Sequence, residues 1–237
     1  RAWGLAAAGW PVVGGLAVPP GDVHVAMGGA PGEPACDPLR IGPDDVAAWV
    51  NRAHAEANAA LDRLEQVTAG LPESTRADAT RVLAQRKAIL ARIDAHAADR
   101  RGGIRTRIHG DYHLGQVLVV ENDFVISDFE GEPTRSLGER REKQSPMKDV
   151  AGMIRSFDYA LHAALARVEV ATEADAWRKR FGSEWLRETH RVFIEGYDHV
   201  IEAAGLLGAG TQRRGLLELF LFEKAFYELN YESENRP

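Results

Sequence analysis

Two short runs rich in β-branched and aromatic residues, Val117-Leu118-Val119-Val120 and Phe124-Val125-Ile126-Ser127, are separated only by Glu121-Asn122-Asp123. Their length and composition suit strands, and their spacing predicts one tight hairpin. The other periodic segments of the chain carry the helical period. The expected fold class is therefore α+β, predominantly helical, with a small β-hairpin.

The hairpin matters for what stands at its ends. Gln116 precedes the first strand and Asp128 follows the second. Antiparallel pairing puts such ends side by side, about 5 Å apart. The ribbon then presents an amide oxygen and a carboxylate together, with Asp111 on the loop feeding that end. Two oxygen ligands and a third carboxylate nearby suit a hard cation, most simply Mg²⁺ whose shell phosphate oxygens complete.

Around the hairpin the chain reads as helices. Pro43-Asp44-Asp45 is a helix start, followed by Val46, Trp49, Val50, Ala53, Ala57, Ala60, Leu61, Leu64 and Val67 at helical spacing. Gly70, Leu71 and Pro72 end it, and a second helix carrying Val82, Leu83, Ile89, Leu90 and Ile93 is expected to pair with it. Residues 129–146 show no period. Ser145 and Pro146 open a further helix through Val168. Helical regions then span about 173–206, with Trp177, Phe181, Trp185, Phe193 and Tyr197 inward, and about 212–232. Residues 1–40 are rich in Gly, Pro and Ala with little periodicity, and read as linker or the remnant of a preceding domain. Residues 41–237 form the helical body.

Bulk properties narrow the partners. A net charge of −6 argues against nucleic acid or an anionic membrane as the main partner. One cysteine, Cys36, allows no internal disulfide and fits a cytoplasmic protein. No apolar run approaches the roughly 18 residues a membrane span needs.

The stretch "HGDYHLGQ" followed by "DFE" resembles the catalytic loop and metal-binding segment of the kinase-like fold, in the branch of aminoglycoside and choline kinases. Gln116 stands for the usual Asn and Glu130 for the usual Gly. Together with "SPMKDVAGMIRSFDYA" and "EKAFYELNYESENRP", these departures are similar to bacterial maltokinases, over about residues 75–237. The resemblance implies the C-terminal lobe of such a kinase, phosphorylating maltose with ATP. Asp111 would orient the sugar hydroxyl or accept its proton, and Gln116 and Asp128 would hold Mg²⁺. His109, Asp149 and Glu130 would be structural support. The bland reading of Asp149 is a first-turn acid favoured by the helix dipole. His113 would lie near the substrate, or at the surface. A fused or associated trehalose synthase is a further partner the resemblance implies.

Lys224, Tyr227, Glu228 and Tyr231 fall at i, i+3, i+4 and i+7 and share one helix face. Rings and polar groups together suit a sugar; the same spacing describes an amphipathic helix whose tips reach water. Arg135, Arg140, Arg141 and Lys143 could meet phosphates or form a solvated loop. Neither a GxGxxG loop nor a strand Lys for the phosphates is found, so the chain reads as the larger lobe alone, with negligible activity by itself. An aminosugar kinase acting on glucosamine shares the catalytic loop, and only the sugar pocket separates the two readings. Two other classes remain. His109, Asp111 and His113 alternate and could bind Zn²⁺ as a hydrolase does, and a non-catalytic pseudokinase would have lost Asp111, Gln116 or Asp128.

Overall fold

The computed structural model describes residues 10–28, 37–96, 103–121, 123–167, 172–206 and 210–235. In chain order the elements are α1 (Trp10–Gly28), β1 (Leu39–Arg40), α2 (Pro43–Val67), α3 (Glu73–Ala84), α4 (Arg86–Ala95), β2 (Ile104–Arg105), β3 (Val117–Val120), β4 (Asp123–Ile126), α5 (Leu137–Arg141), α6 (Met147–Ala166), α7 (Thr172–Ala203) and α8 (Gly210–Asn235). Turns of 3₁₀ helix lie at Thr68–Gly70 and Leu114–Gln116. The chain divides into two compact units, Arg1–Leu39 with Ile104–Leu207, and Arg40–Gly103 with Gly208–Pro237.

The first unit holds the hairpin and packs α1 and α6 with α7. The stretch expected to be linker contains α1, a helix with Pro19 and Pro20 in its interior. Each proline removes an N–H and crowds the carbonyl four residues back, so local preference opposes this helix. Packing overrides it. A side chain at Gly21 would collide with Val200 of α7, at 2.8 Å, so glycine permits the close crossing. Gly28 lies under Leu206. Between α6 and α7, Phe157 meets Phe193 edge to face at 5.5 Å, and Tyr197 and Ile201 are also buried. Phe181, expected inward, is exposed; the side chain of Trp177 lies outside the described residues.

The hairpin forms with Val117 opposite Ile126 and Val120 opposite Asp123. The second strand therefore begins one residue earlier than expected, and the turn has two residues rather than three. Glu121 adopts φ of 56°, the left-handed conformation that two-residue hairpin turns require. A side chain at Gly15 of α1 would touch Phe124, at 3.5 Å, so the ribbon leans on that helix. The aperiodic stretch after the hairpin contains α5, opened by a capping box in which Ser136 Oγ accepts from the Glu139 N–H.

In the second unit, α2 buries Val46, Trp49, Val50, Ala53, Ala57, Ala60, Leu61 and Leu64. These are the predicted apolar stripe except for its last member, Val67, which is half-buried. Trp49 meets Phe220 of α8 at 5.3 Å. The segment expected as one helix after Pro72 is two, α3 and α4, broken at Gln85, whose φ of −94° and ψ of 1° leave the helical range.

Candidate active site

The loop from Ile108 to Gln116 is seated on one face of α6. Asp149, Gly152 and Ser156 stand at i, i+3 and i+7 and so point the same way. Asp149 Oδ2 accepts the His109 N–H at 2.7 Å, and Oδ1 the Gly110 N–H at 2.9 Å. Ser156 Oγ accepts the Leu114 N–H at 3.0 Å. A Cβ on Gly152 would lie 2.6 Å from the Tyr112 carbonyl oxygen, so only glycine lets the loop settle this close. Upstream, Thr106 and Gln144 exchange backbone hydrogen bonds at 2.9 Å in both directions.

Asp149 is 2% exposed. Burial opposes its charge, but the hydrogen bond from His24, the His24 charge, the Gly110 N–H and His109 together outweigh that and hold its carboxyl below the usual carboxylate range. A carboxylate that collects N–H donors in this way is a brace for the loop, beyond a first-turn acid. Tyr112 is buried beside it. Burial first, then the Asp149 charge, pushes its phenol up, so the hydroxyl keeps its proton.

His109 ties the loop to the hairpin. Its Nε2 lies 2.8 Å from the Ser127 carbonyl, which can only accept, so Nε2 bears the hydrogen. The Asp111 N–H points at Nδ1 from 3.3 Å. The ring also packs on Phe129 at 4.9 Å and Tyr112 at 5.6 Å. It thus links the backbone of Asp111 to the residue preceding Asp128.

At the open end of the hairpin, Gln116 Nε2 donates to Asp128 Oδ2 at 3.0 Å. The residue opposite Gln116 is Ser127, whose N–H donates to the Gln116 carbonyl at 2.9 Å, one position short of the expected partner. Asp128 reaches Gln116 from a backbone φ of 64°. A non-glycine residue in the left-handed region carries strain of order 1 kcal/mol or more, and such strain gathers at functional sites. Asp128 is exposed, whereas Asp111 is partly sheltered, with Oδ2 3.8 Å from His113 Nε2.

His113 Nδ1 accepts the Gly115 N–H at 3.0 Å and caps the 3₁₀ turn that carries Gln116. The ring lies where a Cβ on Gly115 would be, 2.7 Å from Cε1. His109 Nε2 is committed to the hairpin, and His109 Nδ1 and His113 Nδ1 to N–H groups of the loop itself. Among the described residues no cluster of three His, Cys, Asp or Glu could hold a metal. The Glu130 carbonyl accepts from Arg140 at 3.3 Å and its side chain is exposed. A Cβ on Gly110, at φ of 88°, would lie 3.2 Å from Gly131, so the loop from Ile108 to Gln116 and the segment after Asp128 meet through two glycines. Of the basic cluster, Lys143 donates to the Asp37 carbonyl at 2.6 Å.

Lys224, Tyr227, Glu228 and Tyr231 lie on α8, in the second unit. Lys224 Nζ sits over the Tyr227 ring, 5.0 Å from its centre, and Tyr231 is exposed. The sequence reading missed His24 of α1, Gly152 and Ser156. An isolated glycine inside an otherwise apolar helical pattern is a packing signal and could have drawn attention to Gly152; nothing in the aperiodic stretch around His24 marks it.

The described fold is shared with sugar kinases. The chain superposes on a solved glucosamine kinase in complex with glucosamine, ADP and inorganic phosphate with a TM-score of 0.74, at 21% identity, covering 95% of this chain and 48% of that one. Another solved glucosamine kinase, in crystal form A, gives a TM-score of 0.74 at 21% identity, covering 95% of this chain and 47% of that one. In sequence, the chain is 28% identical over 157 residues to the glucosamine kinase of Streptacidiphilus jiangxiensis, covering 65% of this chain and 31% of that protein. It is 36% identical over 97 residues to the glucosamine kinase of Mycolicibacterium smegmatis, 41% of this chain and 23% of that protein. The chain thus spans about half the length of the solved relatives. No family model matches it.

These relatives overturn the maltokinase reading, and with it maltose as the acceptor: each is named a glucosamine kinase. They lend no support to a trehalose synthase as partner. The reason lies in where the sequence signal sat. The HGDYHLGQ motif is common to the branch, and the choice of maltose rested on the ending YELNYESENRP, a separate stretch of sequence. Among the described residues no helix is long and apolar enough to cross a membrane.

Proposed function

We propose that this chain carries the catalytic machinery of an ATP-dependent sugar kinase with glucosamine as acceptor, in the larger lobe of a protein-kinase-like fold of the aminoglycoside phosphotransferase type. The observation that carries the reading is the Gln116–Asp128 contact of 3.0 Å at the hairpin mouth, beside a loop that Asp149 pins from below. The solved relative with glucosamine and ADP supports the substrate pair.

In this reading Asp111 orients the attacking sugar hydroxyl and takes up its proton. Its backbone is fixed through His109, so the carboxylate needs little reorganisation when substrate arrives. The donor set fits Mg²⁺: the Asp128 carboxylate and the Gln116 amide oxygen are hard ligands, and the exposure of Asp128 leaves room for phosphate oxygens. When bound, the ion neutralises charge on the transferring phosphoryl group. His113 keeps the turn bearing Gln116 in shape and lies near Asp111. On α8, Lys224, Tyr227, Glu228 and Tyr231 combine rings with a cation and an acid, residue types of the kind that bind sugars.

The test uses the full-length protein with ATP and Mg²⁺. Glucosamine should give a phosphorylated product by mass spectrometry, and Asp111→Asn should lower turnover by about 10³-fold with nucleotide binding retained. A folded protein that phosphorylates neither glucosamine nor any other hexose, or an Asp111→Asn variant with unchanged turnover, sinks the reading.

A further inference from the structure

Behind the catalytic loop stands a buried row of three side chains from three helices. Tyr197 of α7, His24 of α1 and Asp149 of α6 are 1%, 1% and 2% exposed. Tyr197 Oη lies 2.8 Å from His24 Nδ1, and His24 Nε2 lies 3.0 Å from Asp149 Oδ2. The rings of His24 and Tyr197 meet edge to face at 5.7 Å. The Asp149 carboxylate can only accept, so His24 Nε2 donates. That bond falls on the same oxygen that receives the His109 N–H, while the other oxygen receives the Gly110 N–H. Three donors arriving from two sides leave the carboxylate one rotation.

We propose that His24 is a positioning residue for phosphoryl transfer: by fixing the rotation of Asp149 it fixes the backbone of His109 and Gly110, and through them Asp111. The link to catalysis rests on the sugar-kinase reading; the link to the loop does not. With His24 truncated, Asp149 keeps a buried charge but loses one donor and the steering of its carboxylate. The loop N–H groups then lose a fixed acceptor. Asp111 follows Gly110 directly, and a shift of about 1 Å in such a group costs about 100-fold in rate.

Two substitutions separate the chemistry of the ring from its bulk. The amide nitrogen of Gln reaches the place of Nε2, whereas that of Asn reaches only the place of Nδ1. In the full-length protein, His24→Asn should lower kcat about 100-fold, with KM for ATP and glucosamine within about threefold of wild type. His24→Gln should recover to within about tenfold of wild type. Hydrogen exchange without substrates should show faster exchange at the His109 and Gly110 amides in the Asn variant, protection restored in the Gln variant, and unchanged exchange in α2. Should His24→Asn fail to fold, Tyr197→Phe serves: it keeps the Asp149 donor but frees the ring, and should lower kcat about fivefold with a matching rise in loop exchange. Wild-type exchange at both amides in His24→Asn, or in Tyr197→Phe where that variant is used, overturns the brace. Altered exchange with wild-type kcat overturns the positioning role. If the wild-type protein transfers phosphate to no sugar, the kinase reading fails, and the exchange measurement still decides the brace.

Discussion

Asp149 and Asp128 are the same side chain put to opposite uses. Asp149 is buried, sits on a regular helix and receives three N–H donors, two from backbone and one from His24. Asp128 is exposed, sits on a strained backbone and receives the Gln116 amide, a neutral donor that a ligand can displace. Burial makes the first carboxylate's hydrogen bonds strong and their loss costly. Exposure leaves the second available. The difference teaches how the fold divides its carboxylates: buried charge sets the backbone of the loop, and solvent-facing charge is left open to a ligand.

The sharpest break of that comparison is to remove each acid. Asp149→Ala leaves three buried donors without an acceptor, and the full-length protein should lose about 3–5 kcal/mol in urea denaturation. A loss below about 1 kcal/mol would mean that the loop does not depend on it. Asp128→Asn should do the reverse. Asn tolerates the left-handed backbone, so stability should stay within about 0.5 kcal/mol. Phosphoryl transfer to glucosamine should fall by about 10²–10³-fold. If the variant unfolds readily while its specific activity survives, the two acids have been assigned the wrong way round.

The parts legible in the sequence are those where one physical signal dominates. The stripe from Val46 to Leu64 on α2 is legible because a half-buried helix must alternate its faces. The hairpin is legible because β-branched runs flank a short polar turn. The Gln116–Asp128 meeting follows from it, although the strand register is displaced by one and Asp128 restores the contact through its backbone twist. Helix α1 was not legible. Pro19, Pro20 and its many small residues oppose a helix locally, and its partners Val200 and Leu206 lie far along the chain. His24 was lost with it, since its role exists only once α1, α6 and α7 meet. Sugar choice was misread for a related reason: a motif shared across a branch of kinases says which reaction, and little about which acceptor.

Close packing can be tested apart from charge. Gly152→Ala places a methyl 2.6 Å from the Tyr112 carbonyl, backbone that cannot swing aside, and should cost about 1–3 kcal/mol. Gly70 has nothing within 4 Å of its would-be Cβ, so Gly70→Ala should be neutral or stabilise by up to about 1 kcal/mol. Equal effects in urea denaturation would show that the loop is not seated on α6 as described.

The smallest expected signal is a slope. The Asp149 carboxyl is held below its unfolded value of about 3.9. A depressed carboxylate contributes stability that is fully present above the unfolded value and is lost as pH falls through the folded one. Asp149→Asn carries no such group. It is less stable at neutral pH, because an amide N–H₂ replaces an oxygen that had accepted two donors, but its deficit does not depend on the missing ionisation. The other acids titrate alike in both proteins and cancel in the difference. The stability gap between wild type and Asp149→Asn should therefore narrow as pH falls from about 5 to about 3. Urea midpoints taken at steps across that range measure it. A gap that widens toward acid would mean that Asp149 is protonated in the folded protein, and the carboxylate brace beneath the loop would then be a neutral acid with one fewer acceptor than the three donors require.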